Sequence, residues 1–280
     1  MDFEVKLKGN KRDTKINEAN GVVYLTFPIL EQFGVKHGFS TRLGGVSEGM
    51  FSSMNLSFQR GDDREKVEEN YKRICNVLNM NHKNVVLSNQ VHDTKIKLVT
   101  KEDAGKGMIK ESDIIGIDGL ITKEKDIPLV TFYADCVPLF FYDPVKEVIA
   151  AAHSGWRGTK EKIGKKVVET MEEEFGCKKE DVVAVIGPSI CQDCYEVSED
   201  VVLEFQEVFK EETSLFVKAK ENRKYNLDLW KVNSMILKEA GILEKHMSLP
   251  NLCTCCNPKL LFSHRASKGK RGNLAGFISL

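Results

Sequence analysis

Apolar residues along the chain follow two rhythms, and the change from one to the other organises it. Short apolar runs, bounded by Gly, Pro, Asn and Asp, occur at 22–27, 36–40, 85–88, 95–99, 119–122, 129–133, 138–142, 147–152, 182–186 and 274–279. Rich in β-branched and aromatic side chains, they read as strands. Elsewhere the apolar positions recur every three or four residues. Val67, Tyr71, Ile74 and Leu78 follow Asp62-Asp63, the pattern of an amphipathic helix with a carboxylate cap. Ile163, Val167, Met171 and Phe175 continue from Thr159 and stop at Gly176, a residue free to take the left-handed conformation that ends helices. Two further helices are expected: one over 199–210, on Val201, Val202, Phe205, Val208 and Phe209, and one over 227–240, on Leu229, Val232, Ile236 and Ala240 before Gly241.

Strands dominate the first half, and several follow one another before a helix intervenes. That order favours an α+β layered sandwich, with mixed, largely antiparallel sheets and helices packed outside, over a doubly wound parallel sheet. No internal repeat or low-complexity linker interrupts the chain, so 1–280 reads as a single domain. Lys and Arg number 41 against 41 Asp and Glu in 280 residues. No net field is left to hold a polyanion or a membrane surface, which makes nucleic acid and membrane poor partners. The most apolar stretch, 129–142, is broken by Asp135 and Pro138 and is too short to span a bilayer. The N-terminal residues lack the apolar run of a secretory signal. A cytoplasmic protein is expected, with its eight cysteines as free thiols by default.

The runs at 138–142 and 147–152 flank Asp143-Pro144, a strong turn pair. Facing Asp143 with Lys146 across that turn sets Cys136 directly opposite His153. Cross-strand neighbours have Cβ atoms about 5 Å apart, close enough to share a metal ion or form a thiolate–imidazole pair. A bulge or longer turn shifts the pairing by one or two residues. The plainer reading keeps Cys136 as a small buried hydrophobe and His153 as a strand-end histidine. His92, just beyond the run at 85–88, adds a third donor. A His/Cys/His set with one position left for water is the pattern of a catalytic zinc. His37 is a possible neighbour, whereas His82 and His246 are expected to face solvent. Cys191-Gln192-Asp193-Cys194 with Cys253-Thr254-Cys255-Cys256 offers a second, structural zinc site, against which stands the lack of the usual knuckle spacing in the Cys-x-Cys-Cys half. Cys75 and Cys177 read as packing residues.

Six segments together resemble one family. They are His37-Gly38-Phe39-Ser40-Thr41-Arg42-Leu43-Gly44-Gly45-Val46-Ser47, Gln90-Val91-His92, Ala134-Asp135-Cys136-Val137-Pro138, His153-Ser154-Gly155-Trp156-Arg157-Gly158-Thr159, Ile186-Gly187-Pro188-Ser189-Ile190 and Cys194-Tyr195-Glu196-Val197. In this order, from residue 37 to the C-terminus, they resemble the YfiH-like polyphenol oxidase or laccase-domain family. The resemblance implies an α/β/β/α layered fold and a zinc ion held by His92, Cys136 and His153, the residues it also makes catalytic. It implies purine nucleoside phosphorolysis of adenosine, inosine and methylthioadenosine, with some adenosine deamination, and hence a purine nucleoside and phosphate as partners. It implies no second zinc site. The chain departs from the family at Cys191-Gln192-Asp193-Cys194-Tyr195, where Cys-Cys-Tyr-Glu-Val is common, and at His264-Arg265, where Tyr-Arg is common.

Several members carry the name copper laccase, yet six histidines are too few for a blue-copper centre plus a trinuclear cluster. Copper can still displace zinc in vitro, following the Irving–Williams order. For phosphorolysis a cation must position the phosphate dianion. Arg42, ahead of Gly44-Gly45, is the first candidate and Arg157, beside Trp156, the second. For deamination a carboxylate must shuttle a proton, and Asp135, the nearest, is turned away from Cys136 by strand alternation. The competing functions are a metal-free hydrolase, in which His153 activates Cys136 against amide bonds of peptidoglycan precursors, and a copper-binding polyphenol oxidase. A monomer and a homodimer are both compatible with the pattern.

Overall fold

The computed structural model describes residues 3–8 and 13–280; positions 1–2 and 9–12, part of the stretch read for a secretory signal, lie outside the described residues. Two six-stranded sheets pack face to face. The first is ordered Lys15–Ala19, Val22–Thr26, Lys36–Ser40, Leu274–Ser279, Leu129–Tyr133 and Val86–Leu87. The second is ordered Met247–Ser248, Val183–Ile186, Val137–Asp143, Val148–Ser154, Gly119–Thr122 and Ile96–Leu98. Most pairs are antiparallel, and the three parallel ones lie at sheet edges.

The continuous apolar run at 137–143 follows from burial of its strand on both faces. Phe140 and Tyr142 point between the sheets, into a core shared with Phe39, Leu129, Tyr133 and Ile278. Val137, Leu139 and Phe141 point outward, where the helices Ile163–Phe175, Glu199–Phe209 and Leu229–Glu239 cover them with Val167, Phe205 and Ile236. On the outer face of the first sheet the helix Arg64–Val77 lays Val67, Tyr71 and Ile74 against Val130 and Phe277. The layers are therefore helix, sheet, sheet, helix. Asp63 caps the helix Arg64–Val77 by accepting from Glu65 N–H at 2.9 Å. Gly176 closes the helix Ile163–Phe175 at φ 63°. Among the described residues, no helix is long and apolar enough to cross a membrane.

Three sequence expectations are corrected. The helix expected from Thr159 is two pieces, Trp156–Lys160 and Ile163–Phe175, because Lys162 sits at φ 57° and breaks the spiral. A small third sheet, Glu196–Ser198, Lys224–Leu227 and Val217–Ala219, escaped notice because its strands are only three or four residues long, too short for an apolar run to stand out. The hairpin register also differs: Asp143 faces Val148, so His153 pairs with Pro138. Asp143 Oδ1 accepts from Val145 and Lys146 N–H at 2.8 and 3.0 Å, and Glu147 takes φ 50°, which makes a four-residue loop in place of a two-residue one. Since side chains alternate with period 2, a shift of two residues keeps every side chain on its face. Cys136 and His153 remain on one side as diagonal neighbours.

The space between the sheets is filled closely enough to leave no room for one methyl group at Gly276, where a Cβ would lie 2.4 Å from Phe140 Cζ and 3.3 Å from Tyr133 Cε2. Gly276→Ala is expected to lower the free energy of urea unfolding by about 1–3 kcal/mol, the usual cost of overpacking. An unchanged midpoint would show that the sheets are less tightly packed than described.

Candidate metal and catalytic centre

The centre forms at one end of the gap between the sheets, where the chain crosses from strand 129–133 of the first sheet to strand 137–143 of the second. The crossing takes three residues, Ala134, Asp135 and Cys136. Asp135 makes the corner at φ 89°. Its carbonyl accepts from Ile190 N–H at 3.0 Å, and its carboxylate accepts from Thr254 Oγ1 at 2.6 Å and Arg265 N–H at 2.7 Å. With its carboxylate held on the far side, Cys136 is presented to the gap. His153 comes from the far end of the returning hairpin strand, Val148–Ser154, and Gly155 follows because a Cβ there would lie 2.6 Å from His92 Cδ2 and 3.4 Å from Cys136 Sγ.

His92 comes from the loop after strand 86–87. Gln90 ties that loop to strand 129–133 by pairing both backbone groups of Phe132, at 2.6 and 2.8 Å. His92 itself sits at φ 65°, and the backbone N–H groups of Val91, His92 and Asp93 all point at the Asp118 carboxylate, at 2.9, 3.1 and 3.1 Å. The same carboxylate receives His153 Nδ1 at 2.7 Å. Asp118 is fully buried. Burial alone would raise its pKa, but the hydrogen bond and charge of His153 and the loop amides outweigh it and hold the carboxyl below its ordinary range.

With Nδ1 committed to Asp118, His153 turns Nε2 toward Cys136. Cys136 Sγ lies 3.8 Å from His92 Nε2, and the ligand atoms of His92, Cys136 and His153 all lie within 4.8 Å of one another. Zinc bonds of ~2.05 Å to nitrogen and ~2.3 Å to sulfur imply a tetrahedral N···S edge of about 3.6 Å. The donor set therefore suits a borderline-soft ion, and Asp118 supplies the carboxylate that ordinarily orients a ligating histidine. Burial pushes the Cys136 thiol up, but the His153 charge and the hydrogen bonds from both histidines prevail and bring it down to about 6. Burial alone sends Cys75 to about 12, and Cys177, beside Asp143, reaches the same value.

A cavity of about 340 Å³ opens over His92, Cys136 and His153. Phe58, Phe132 and Ile115 give it apolar walls, while Gln90, Arg271 and Asn273 supply polar ones. Arg271 is the cation of this cavity. Its Nη1 bonds Gly272 O and Asn273 Oδ1, its Nε is buried without a hydrogen-bond partner among the described residues, and burial next to Arg60 brings its pKa down to about 10.

The other sequence candidates lie elsewhere. Arg42 gives Nε and Nη2 to Ser52 O and Nη1 to Pro258 O, at 2.8 to 3.0 Å, and packs over Phe262; its fork is spent on backbone carbonyls outside the cavity. Arg157 is exposed and stacked on Trp156 at 4.3 Å, also outside the cavity lining. His37 is a core histidine, accepting from Phe27 N–H at 2.9 Å and stacked on the Phe27 ring. His82 and His246 are half-buried, less exposed than expected. Asp118 and Arg271 were missed. Asp118 stands at the start of an expected strand, but its partners come from residues more than 20 positions away on either side. Arg271 lies in a polar stretch next to the last strand, with no pattern of its own.

The family model of multi-copper polyphenol oxidoreductase laccase matches residues 36–280. The purine nucleoside phosphorylase YlmD of Bacillus subtilis (strain 168) is 37% identical over 244 residues, covering 87% of either chain. The crystal structure of YlmD from Geobacillus stearothermophilus superposes with a TM-score of 0.88 at 33% identity, over 95% of this chain and 98% of that one. The Bacillus licheniformis hypothetical protein YfiH superposes with a TM-score of 0.89 at 32% identity, over 95% and 98%.

Two outcomes are expected of this centre. Asp118→Asn leaves the shape but removes the charge that orients His153, and should weaken metal retention in chelator competition by roughly 10–100-fold; undiminished affinity would contradict the role given to Asp118. In metal-free protein, the thiolate of Cys136 forms above its lowered pKa, so its alkylation, read by peptide mass spectrometry, should fall off only below pH about 6. Half-maximal alkylation at the ordinary thiol value would contradict the pairing with His153.

Proposed function

The chain belongs to the multi-copper polyphenol oxidoreductase laccase family, and on that footing we propose that it is a cytoplasmic, zinc-dependent purine nucleoside phosphorylase acting on adenosine, inosine or methylthioadenosine. The relatives' phosphorylase names support the reaction class. The observation that carries the reading is the joining, in one cavity, of a His92/Cys136/His153 donor set, aromatic walls and a half-buried arginine. Six histidines, of which only His92 and His153 meet, do not supply the donors of a multi-copper cluster.

Phosphorolysis breaks the bond from ribose C1′ to the purine nitrogen and forms one from C1′ to a phosphate oxygen, and the proton of hydrogen phosphate ends on the base. Zinc, when held by His92, Cys136 and His153, supplies a Lewis acid with one open position. Phe58 and Phe132 offer ring faces to the purine. The Arg271 guanidinium takes the part first given to Arg42, fixing phosphate by paired, charge-assisted hydrogen bonds. Asp118 keeps His153 in one tautomer throughout. Adenosine deamination needs a free carboxylate at the water, and both nearby carboxylates, Asp118 and Asp135, are already fully engaged. That engagement favours phosphorolysis as the principal activity.

One observation favours a second reading. Asp118, His153 and Cys136 stand in line, carboxylate to imidazole to thiol, as a cysteine hydrolase requires. The two are separated by incubating the protein with inosine or adenosine, with and without phosphate, and analysing products by mass spectrometry. Base and ribose 1-phosphate released only with phosphate, and loss of that turnover together with one zinc equivalent in Cys136→Ala, are expected. No turnover under either condition moves the assignment to the hydrolase and to amide-bearing peptidoglycan precursors. Arg271→Gln should raise the KM for phosphate about tenfold or more, with zinc content unchanged, since a hydrogen bond to a charged group is worth about 1.5–3 kcal/mol; an unaltered phosphate KM would remove Arg271 from the site.

A further inference from the structure

A second group of sulfurs converges behind the corner that presents Cys136. Cys191 and Cys194 flank a short helical turn after strand 183–186, and Cys253 and Cys256 flank a turn after residue 250. Their four Sγ atoms lie within 4.8 Å of one another, with Cys194 to Cys256 at 3.5 Å and Cys191 to Cys256 at 4.0 Å. Each pair has Cys-x-x-Cys spacing. The second half looked irregular in the sequence only because Cys255 interrupts it, and the fold leaves Cys255 out of the cluster.

We propose that Cys191, Cys194, Cys253 and Cys256 form a second, structural metal centre that holds one zinc ion by four thiolates. Zinc–sulfur bonds of ~2.3 Å give tetrahedral S···S edges of about 3.8 Å, between the two distances observed. The sulfurs stand well beyond the ~2.05 Å of a disulfide bond. Backbone groups are already aimed at them: Cys191 N–H and Cys256 N–H both donate to Cys253 Sγ, at 3.2 and 3.4 Å. Such donors stabilise a thiolate more than a thiol. Zinc with four thiolates carries two net negative charges, and Lys8, paired with Asp193 at 2.8 Å, sets an ammonium beside the first half-site. Four protein donors leave no open position, which separates this centre from the one facing the cavity.

Its place in the fold gives it a purpose. The two loops it would join are linked by Thr254 N–H to Ser189 O at 3.1 Å, and from them Ile190 and Thr254 reach the Asp135 corner. A metal clip closing the 62 residues from Cys191 to Cys253 restricts the unfolded chain as a cross-link does and braces the residue before Cys136.

The test measures zinc in reduced, full-length protein and in the variants Cys194→Ser/Cys256→Ser, Cys136→Ser and Cys255→Ser. The double variant should lose one zinc equivalent that Cys136→Ser and Cys255→Ser retain. Cobalt loaded into Cys136→Ser should show thiolate charge-transfer and tetrahedral ligand-field bands. Should the double variant fail to fold, mercurial titration of Cys136→Ser protein supplies the answer, with zinc release expected to track modification of four thiols. Full zinc content in a folded double variant, no zinc in Cys136→Ser, iron with tetrathiolate absorption in place of zinc, or a mass lighter by two hydrogens per cysteine pair would each overturn the proposal. Because these readouts do not use nucleosides, they stand or fall separately from the phosphorylase reading.

Discussion

The carboxylate of Asp118 is the constraint on which the rest of the centre depends. It is buried, ionised and surrounded by four donors, three of them backbone amides of one loop and the fourth His153 Nδ1. A buried charge with that many partners has one low-energy arrangement, because loss of any donor leaves an uncompensated charge in a low-dielectric setting. The loop that carries His92 is wrapped around the carboxylate, which accounts for the left-handed backbone at a residue that ordinarily avoids it. One anion thus sets the position of His92 and the tautomer of His153.

Cys136 is placed by topology. A strand of the first sheet and a strand of the second are consecutive in the chain, and the corner between them takes only three residues. So short a crossing ties the two sheets together at this end of the sandwich, where the cavity lies. The corner residue beside it is Cys136. His153 reaches the same point because the strand pairing after the corner is a hairpin. The layered core that fills the rest of the gap keeps that end from closing.

Much of this was legible in the chain. The strands at 36–40, 119–122, 129–133 and 274–279 have the bounds read from their apolar runs, because strands buried on both faces leave uninterrupted signals. The Cys136–His153 neighbourhood was also legible, although the register was off by two. What the pattern lacks is the turn's real length, which depends on Asp143 folding its side chain back onto Val145 and Lys146. The period of 2 forgave the error. Arg42 shows the opposite case. Its glycine-rich surroundings suggested a phosphate loop, yet Gly44 and Gly45 are required by close packing, since Cβ atoms there would lie 2.3 Å from Gly21 O and 2.1 Å from Ser53 O. A glycine needed for backbone approach looks the same in sequence whether the approaching group is a ligand or the chain itself. Asp118 and Arg271 were invisible for a related reason: their significance lies wholly in residues distant along the chain.

The two clusters of side chains able to hold a metal differ in a way that their chemistry makes plain. His92, Cys136 and His153 carry three donors with a cavity at the fourth position, and their carboxylate partner tunes basicity from behind. Cys191, Cys194, Cys253 and Cys256 carry four donors of one kind, with amides in place of a carboxylate. An open position costs stability, because a ligand is missing, and gains reactivity; a closed one does the reverse. The closed group sits behind Asp135 and the open group in front of it, joined by one corner residue whose backbone and side chain both face the closed side. The sharp left-handed turn at Asp135 is strained for a residue with a side chain. It persists because Ile190 and Thr254 from the loops behind it and Arg265 from the short helix His264–Ser267 supply three hydrogen bonds, and those bonds hold Cys136 facing the cavity.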